Sequence, residues 1–102
     1  MNERSADAAS RLLEELSSDP RGVAPRLLAD GARMTRPFAD ACDVADSCPV
    51  AVWLQMRTGL PWRVRRLIAY RDWGPMIDLP AAVTSFVERF DAGRHPELEA
   101  KK

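Results

Sequence analysis

The sequence predicts an α+β fold: a small helical domain of about four helices, then a β-hairpin and a C-terminal helix. Three observations predict it. Apolar residues recur at helical spacing near both ends and in the middle of the chain. The period shortens to two over Trp62–Tyr70. Proline and glycine fall between these stretches, where the chain must turn. A chain of 102 residues suits one domain over 1–102, with an ordered body at 5–93 and a polar tail at 94–102. Hydrophobic residues at 46% and charged residues at 29% are globular values, which excludes disorder along the whole chain.

The first helix spans Ser5–Ser17, with Ser5 as its cap and Ala9, Leu12, Leu13 and Leu16 as its inner stripe. Ser17-Ser18-Asp19-Pro20 ends it. Asp19-Pro20 has the form of a cap and first residue for a second helix, but Pro25 moves the start toward Ala24-Pro25, since a proline inside a helix costs about 3 kcal/mol. Leu27, Leu28 and Met34 then form its apolar face, and Gly31 weakens its end. Pro37–Val44 reads as a short helical turn with Phe38, Ala41 and Cys42 inward. The next helix is capped by Ser47 or Cys48, carries Pro49 in its first turn and stops at Gly59 and Pro61. It is apolar most of the way round, which suits a central helix.

Trp62, Val64, Ile68 and Tyr70 alternate with Arg63, Arg65 and Ala69, the pattern of a strand. A turn at Arg71–Gly74 returns the chain through Pro75–Leu79, with Ile68 opposite Ile77 and Leu67 opposite Asp78. In that register Arg63 and Arg65 face away from the core, while Arg66 sits at the edge of the apolar face, within reach of Asp40, Asp43 or Asp46. Pro80 opens the last helix, in which Val83, Phe86, Val87 and Phe90 share one face and Gly93 closes the end. The expected core is Trp53, Leu54, Ile68, Ile77, Phe86 and Phe90.

Function is bounded mainly by exclusion. The longest uncharged stretch, Ser47–Met56, is too short to span a bilayer, so no membrane is expected as a partner. The first residues lack a secretory pattern and two cysteines make no disulfide scaffold, so a cytoplasmic protein is expected. Fifteen basic and fifteen acidic residues cancel, so no global field steers the chain to nucleic acid. Asp40, Cys42, Asp43, Asp46, Cys48 and His95 are metal-ligand types, but Cys-x5-Cys with one histidine makes an incomplete zinc set; neither a metal nor a cofactor is expected. The helix start at Cys48 favours a thiolate, yet no base is placed beside it in sequence. Phosphate-loop, hydrolase-elbow and zinc-protease motifs are missing. No enzyme is expected.

The charge asymmetry is local. Residues 57–71 carry five arginines and no acid, while residues 37–56 carry three aspartates and no base. Arginines interleaved with aromatics suit phosphate contact and base stacking, so nucleic acid is a possible partner, and Arg57, Trp62, Arg63, Arg65, Arg71 and Trp73 are the candidate binding residues. The expected role is that of a small accessory or regulatory protein acting by macromolecular binding, with a protein partner foremost and room for a homodimer. The alternative is a winged-helix-like DNA-binding regulator, with Pro49–Thr58 as its recognition helix and the hairpin as its wing.

Two stretches carry a resemblance: Cys48-Pro49-Val50-Ala51 at a helix start, and Phe86-Val87-x-x-Phe90-Asp91-x-Gly93-x-x-Pro96-Glu97-Leu98 near the end. With the hairpin between them they resemble small proteins of actinobacteria and their phages and plasmids, for which no activity is established. The resemblance implies such an origin, which agrees with thirteen arginines, two lysines and fifteen alanines. It covers about the second half of the chain and consists of core and capping positions, so it speaks for fold and not for chemistry.

Overall fold

The computed structural model describes residues 2–33, 48–65, 67–71, 74 and 76–98. Helices α1 (Asn2–Ser17), α2 (Val23–Ala29) and α3 (Pro49–Thr58) precede strands β1 (Arg63–Arg65), β2 (Ile68–Tyr70) and β3 (Met76–Asp78). Helix α4 (Ala81–Asp91) and a 3₁₀ turn at Pro96–Leu98 follow. The strands form one antiparallel sheet in the order β1-β2-β3. This is the small α+β domain that the periodicities predict. The expected turn at Pro37–Val44 and the residues Met34, Asp40, Cys42, Asp43, Asp46, Arg66 and Trp73 lie outside the described residues.

Helix α1 begins ahead of the expected Ser5 cap and buries Ala9, Leu13 and Leu16, with Leu12 packed at the margin of the core. Helix α2 accommodates Pro25 in its first turn, where the missing N–H has no helical acceptor to lose. Asp19 does not cap it. Its carboxylate accepts from the backbone and side chain of Arg21 instead. Val23 and Leu27 form the buried face, while Leu28, expected inside, is exposed. The helix ends in a Schellman pair: the Gly31 N–H donates to the Leu28 carbonyl and the Ala32 N–H to that of Leu27. Gly31 at φ 76° supplies the left-handed residue this pattern needs.

The central helix is α3. Pro49 to Leu54 are all buried, because this short helix lies among α1, α2 and β1. Helix α4 buries Val83, Phe86, Val87 and Phe90, the face that the periodicity predicts. The core is continuous and gathers Trp53, Trp62, Phe86 and Phe90 as its largest side chains.

Two further expectations are corrected. Residues 94–98 are not a loose tail. Gly93 reverses the chain, the His95 ring packs on Phe86 at 4.9 Å, and Leu98 is fully buried. Arg33 donates to the Glu97 carbonyl at 2.8 Å, tying this last turn to the end of α2. Strand Trp62–Tyr70 is also not continuous. The chain turns between Arg65 and Ile68, which pair with each other, so the hairpin becomes a three-stranded meander. Its second register lies one residue from the expected one: Ala69 faces Ile77 and Ile68 faces Asp78. The Leu79 N–H donates to the Leu67 carbonyl on the same ladder. Tyr70 pairs with Met76, a residue with an N–H to give, where the expected partner Pro75 has none.

Candidate interaction surface

The two-residue turn decides which side chains face out. Within a strand, successive side chains alternate faces, and directly paired residues share a face. Val64 pairs with Ala69, and Ala69 with Ile77. Val64 and Ala69 are buried and Ile77 is half-buried against the core, so this row is the inner face, laid over α1 and α3. The other two rows, Arg63–Tyr70–Met76 and Arg65–Ile68–Asp78, form the outer face. An even position inside β1 thus pairs with an odd one inside β2. Ile68, expected in the core, is half-buried on the outer face for this reason.

The outer face is mixed in chemistry. Met76 is 72% exposed on it; Leu67, 63% exposed in the β1–β2 turn opposite Leu79, continues the inner row and is not part of this face. Ile68 and Tyr70 lie half-buried beside Met76. Arg65 reaches across the sheet and its Nε donates to the Tyr70 hydroxyl at 2.9 Å. The sequence leaves Arg63 and Arg65 open for a ligand, but both are engaged within the chain. Asp78 adds an acid at the β3 end of the Arg65 row.

Of the other predicted binding residues, Arg57, Trp62 and Arg71 separate from this face. Trp62 is fully buried, so its ring is not a stacking platform. The Arg71 guanidinium lies over that ring, 5.4 Å from its centroid. On the other side it packs against Gly74, where a Cβ would stand 3.1 Å from the guanidinium nitrogens. Arg71 is therefore wedged in the β2–β3 connection. Gln55 donates to the Trp62 carbonyl at 2.9 Å, which fixes the start of β1 to α3.

Arg57 belongs to a different cluster, centred on Asp30 at the end of α2. One Asp30 oxygen accepts from Arg26 Nε at 2.7 Å, Trp53 Nε1 at 2.9 Å and Arg57 Nη2 at 3.1 Å. Both guanidinium groups lie over the Trp53 ring, 5.7 Å and 5.3 Å from its centroid. Arg26 also pairs with Asp19 at 3.2 Å and Glu15 at 3.4 Å. Donation from Trp53, then from Arg26 and Arg57, lowers the Asp30 carboxyl to about 2. Arg21, followed by Arg26, holds Asp19 well below the usual carboxylate range. The acid partners that the sequence offers the arginines are Asp40, Asp43 and Asp46; for Arg57 the partner is Asp30. The signal that could have found it is Arg26 and Asp30 at helical i, i+4 spacing.

The chemistry-bearing residues do not converge on a catalytic arrangement among the described residues. Burial pushes the Cys48 thiol up to about 12, overriding the helix N-terminus that favours a thiolate. His95 lies 3.1 Å from the Glu97 carboxylate and its ring packs, tilted, on Phe86. No group of three or more potential metal ligands occurs among the described residues. No described helix is long and apolar enough to cross a membrane. No protein-family model matches the chain, and neither a curated protein nor a solved structure does.

Proposed function

We propose that the chain is a non-enzymatic accessory or regulatory protein that acts by binding protein through the outer face of its sheet. One observation carries the reading: Met76 is mostly exposed beside half-buried Ile68 and Tyr70, on a face bordered by Arg63 and Arg65. Large apolar side chains grouped within a charged rim favour protein contact. The winged-helix reading draws less support. A recognition helix presents a polar face to the groove, and α3 buries Pro49 to Leu54 and ties Arg57 to Asp30.

Photo-crosslinking in the native cell separates these readings. A photoreactive residue at position 76 should capture protein, while one at Glu88, exposed on α4, should not. Absence of any protein adduct at position 76 would overturn the reading. Adducts to nucleic acid there, with binding of mixed-sequence duplex DNA that falls steeply with salt, would favour the DNA-binding alternative.

A further inference from the structure

We infer that the protein partner of the outer sheet face is a second copy of this chain, docked sheet on sheet about a two-fold axis parallel to β2. The inference rests on the reading of that face as a protein-binding surface. It comes from the order of charges across the sheet. Arg65, Ile68 and Asp78 lie side by side in one row, one on each strand. The row is basic on β1, apolar on β2 and acidic on β3.

A two-fold axis parallel to the central strand turns the sheet over and exchanges its edges, leaving height along the strands unchanged. Arg65 of one copy then meets Asp78 of the other, twice by symmetry, and Ile68 meets its own counterpart between them. The neighbouring row, Arg63–Tyr70–Met76, brings Tyr70 onto Tyr70 and the aliphatic stem of Arg63 onto Met76. An isologous contact requires such a self-complementary patch. Face-to-face sheets pack about 10 Å apart, a gap that an arginine and an aspartate at the rim can close. A guanidinium presents five donors in a fork, so Arg65 can keep its contacts within the chain, the bond to Tyr70 among them, and still meet a carboxylate across the axis. With fifteen charges of each sign, two copies carry no net repulsion. Three strands of three residues make a face well short of the roughly 800 Å² that a standard interface takes from each partner. The dimer is therefore weak and depends on concentration.

The test is sedimentation equilibrium of the full chain from about 10 μM to about 1 mM, a range that brackets weak association. The wild type should pass from monomer to dimer. Arg65→Glu and Asp78→Arg should each raise the midpoint at least about tenfold, since each places like charges opposite one another twice. Mixing the two single variants should restore association. In the mixed dimer the introduced glutamate of one chain meets the introduced arginine of the other, and the unaltered Asp78 and Arg65 meet at the opposite edge. A wild type that stays monomeric throughout, or a dimer indifferent to both reversals, overturns the inference. If a reversed variant fails to fold, amide exchange of the wild type decides: protection at residues 63–78 must rise with protein concentration, and constant protection overturns it. Photo-crosslinks from position 76 to other proteins only, with a monomeric chain, would remove the second copy while leaving the protein-binding reading in place.

Discussion

Asp30 does the most with the fewest atoms. A single carboxylate oxygen collects the indole N–H of a fully buried tryptophan and two guanidinium groups, and so joins α2 to α3. Because its folded pKa is depressed to about 2, its contribution is complete above the usual carboxyl range near 4 and is lost as pH falls through 2. Asp30→Asn should therefore lower stability at pH 7 by about 1.5–3 kcal/mol, the range for hydrogen bonds to charged groups. It should also flatten the acid limb between pH 4 and pH 2. Urea unfolding of both proteins across that window checks both effects. Cys48 gives a second residue-scale outcome. With its thiol buried and raised to about 12, it should resist a thiol-specific dye at pH 8 until the chain unfolds. The Cys42→Ser variant isolates the signal, and prompt labelling of native protein would contradict the burial.

Elements are held by their ends as much as by their faces. Helix α4 closes on a Schellman pair, with Gly93 donating to the Phe90 carbonyl and Arg94 to that of Arg89. That turn directs His95 onto Phe86 and Leu98 into the core. Phe86→Ala should cost about 3–5 kcal/mol, since it removes a fully buried ring and the surface on which His95 rests. Leu98→Ala should cost about 2–5 kcal/mol, which a polar tail would not. Thermal melting of the two variants measures both, and a wild-type melting curve for Leu98→Ala would return residues 94–98 to the solvent. In the sheet, Arg63→Ala with Arg65→Ala should leave folding within about 0.5 kcal/mol, because the row that faces the core is Val64–Ala69–Ile77. Strong unfolding of that double variant would contradict the assignment of faces.

At the scale of the whole molecule, one continuous core runs from α1 through α3 and the sheet to α4 and the 3₁₀ turn. The radius of gyration, 12.5 Å, is close to the about 13 Å expected of a folded chain of this length. Trp53 belongs to the helical part and Trp62 to the start of the sheet, and both are fully buried. Denaturant unfolding followed by tryptophan fluorescence and by far-ultraviolet circular dichroism should therefore give coincident transitions. Separate midpoints would mean that sheet and helices unfold as independent units.

Much of this architecture was legible in the residues themselves. Helical spacing fixes α1 and α4 because each needs one apolar stripe against a common core, and the all-round apolar run of α3 marks it as the central helix. Pro49, Gly59, Pro80 and Gly93 mark ends where backbone geometry leaves little choice. The outer face of the sheet was not legible. Period-two reading carries through a two-residue turn without a break, yet the turn exchanges even and odd positions between faces, so Ile68 and Tyr70 moved outward while Ala69 moved in. Nor could composition tell which arginines were committed. Asp30 captures Arg57 from twenty-seven residues away, and Arg71 lies between Trp62 and Gly74. Such pairings depend on which helix ends and loops the core brings together, and only the tertiary structure decides that.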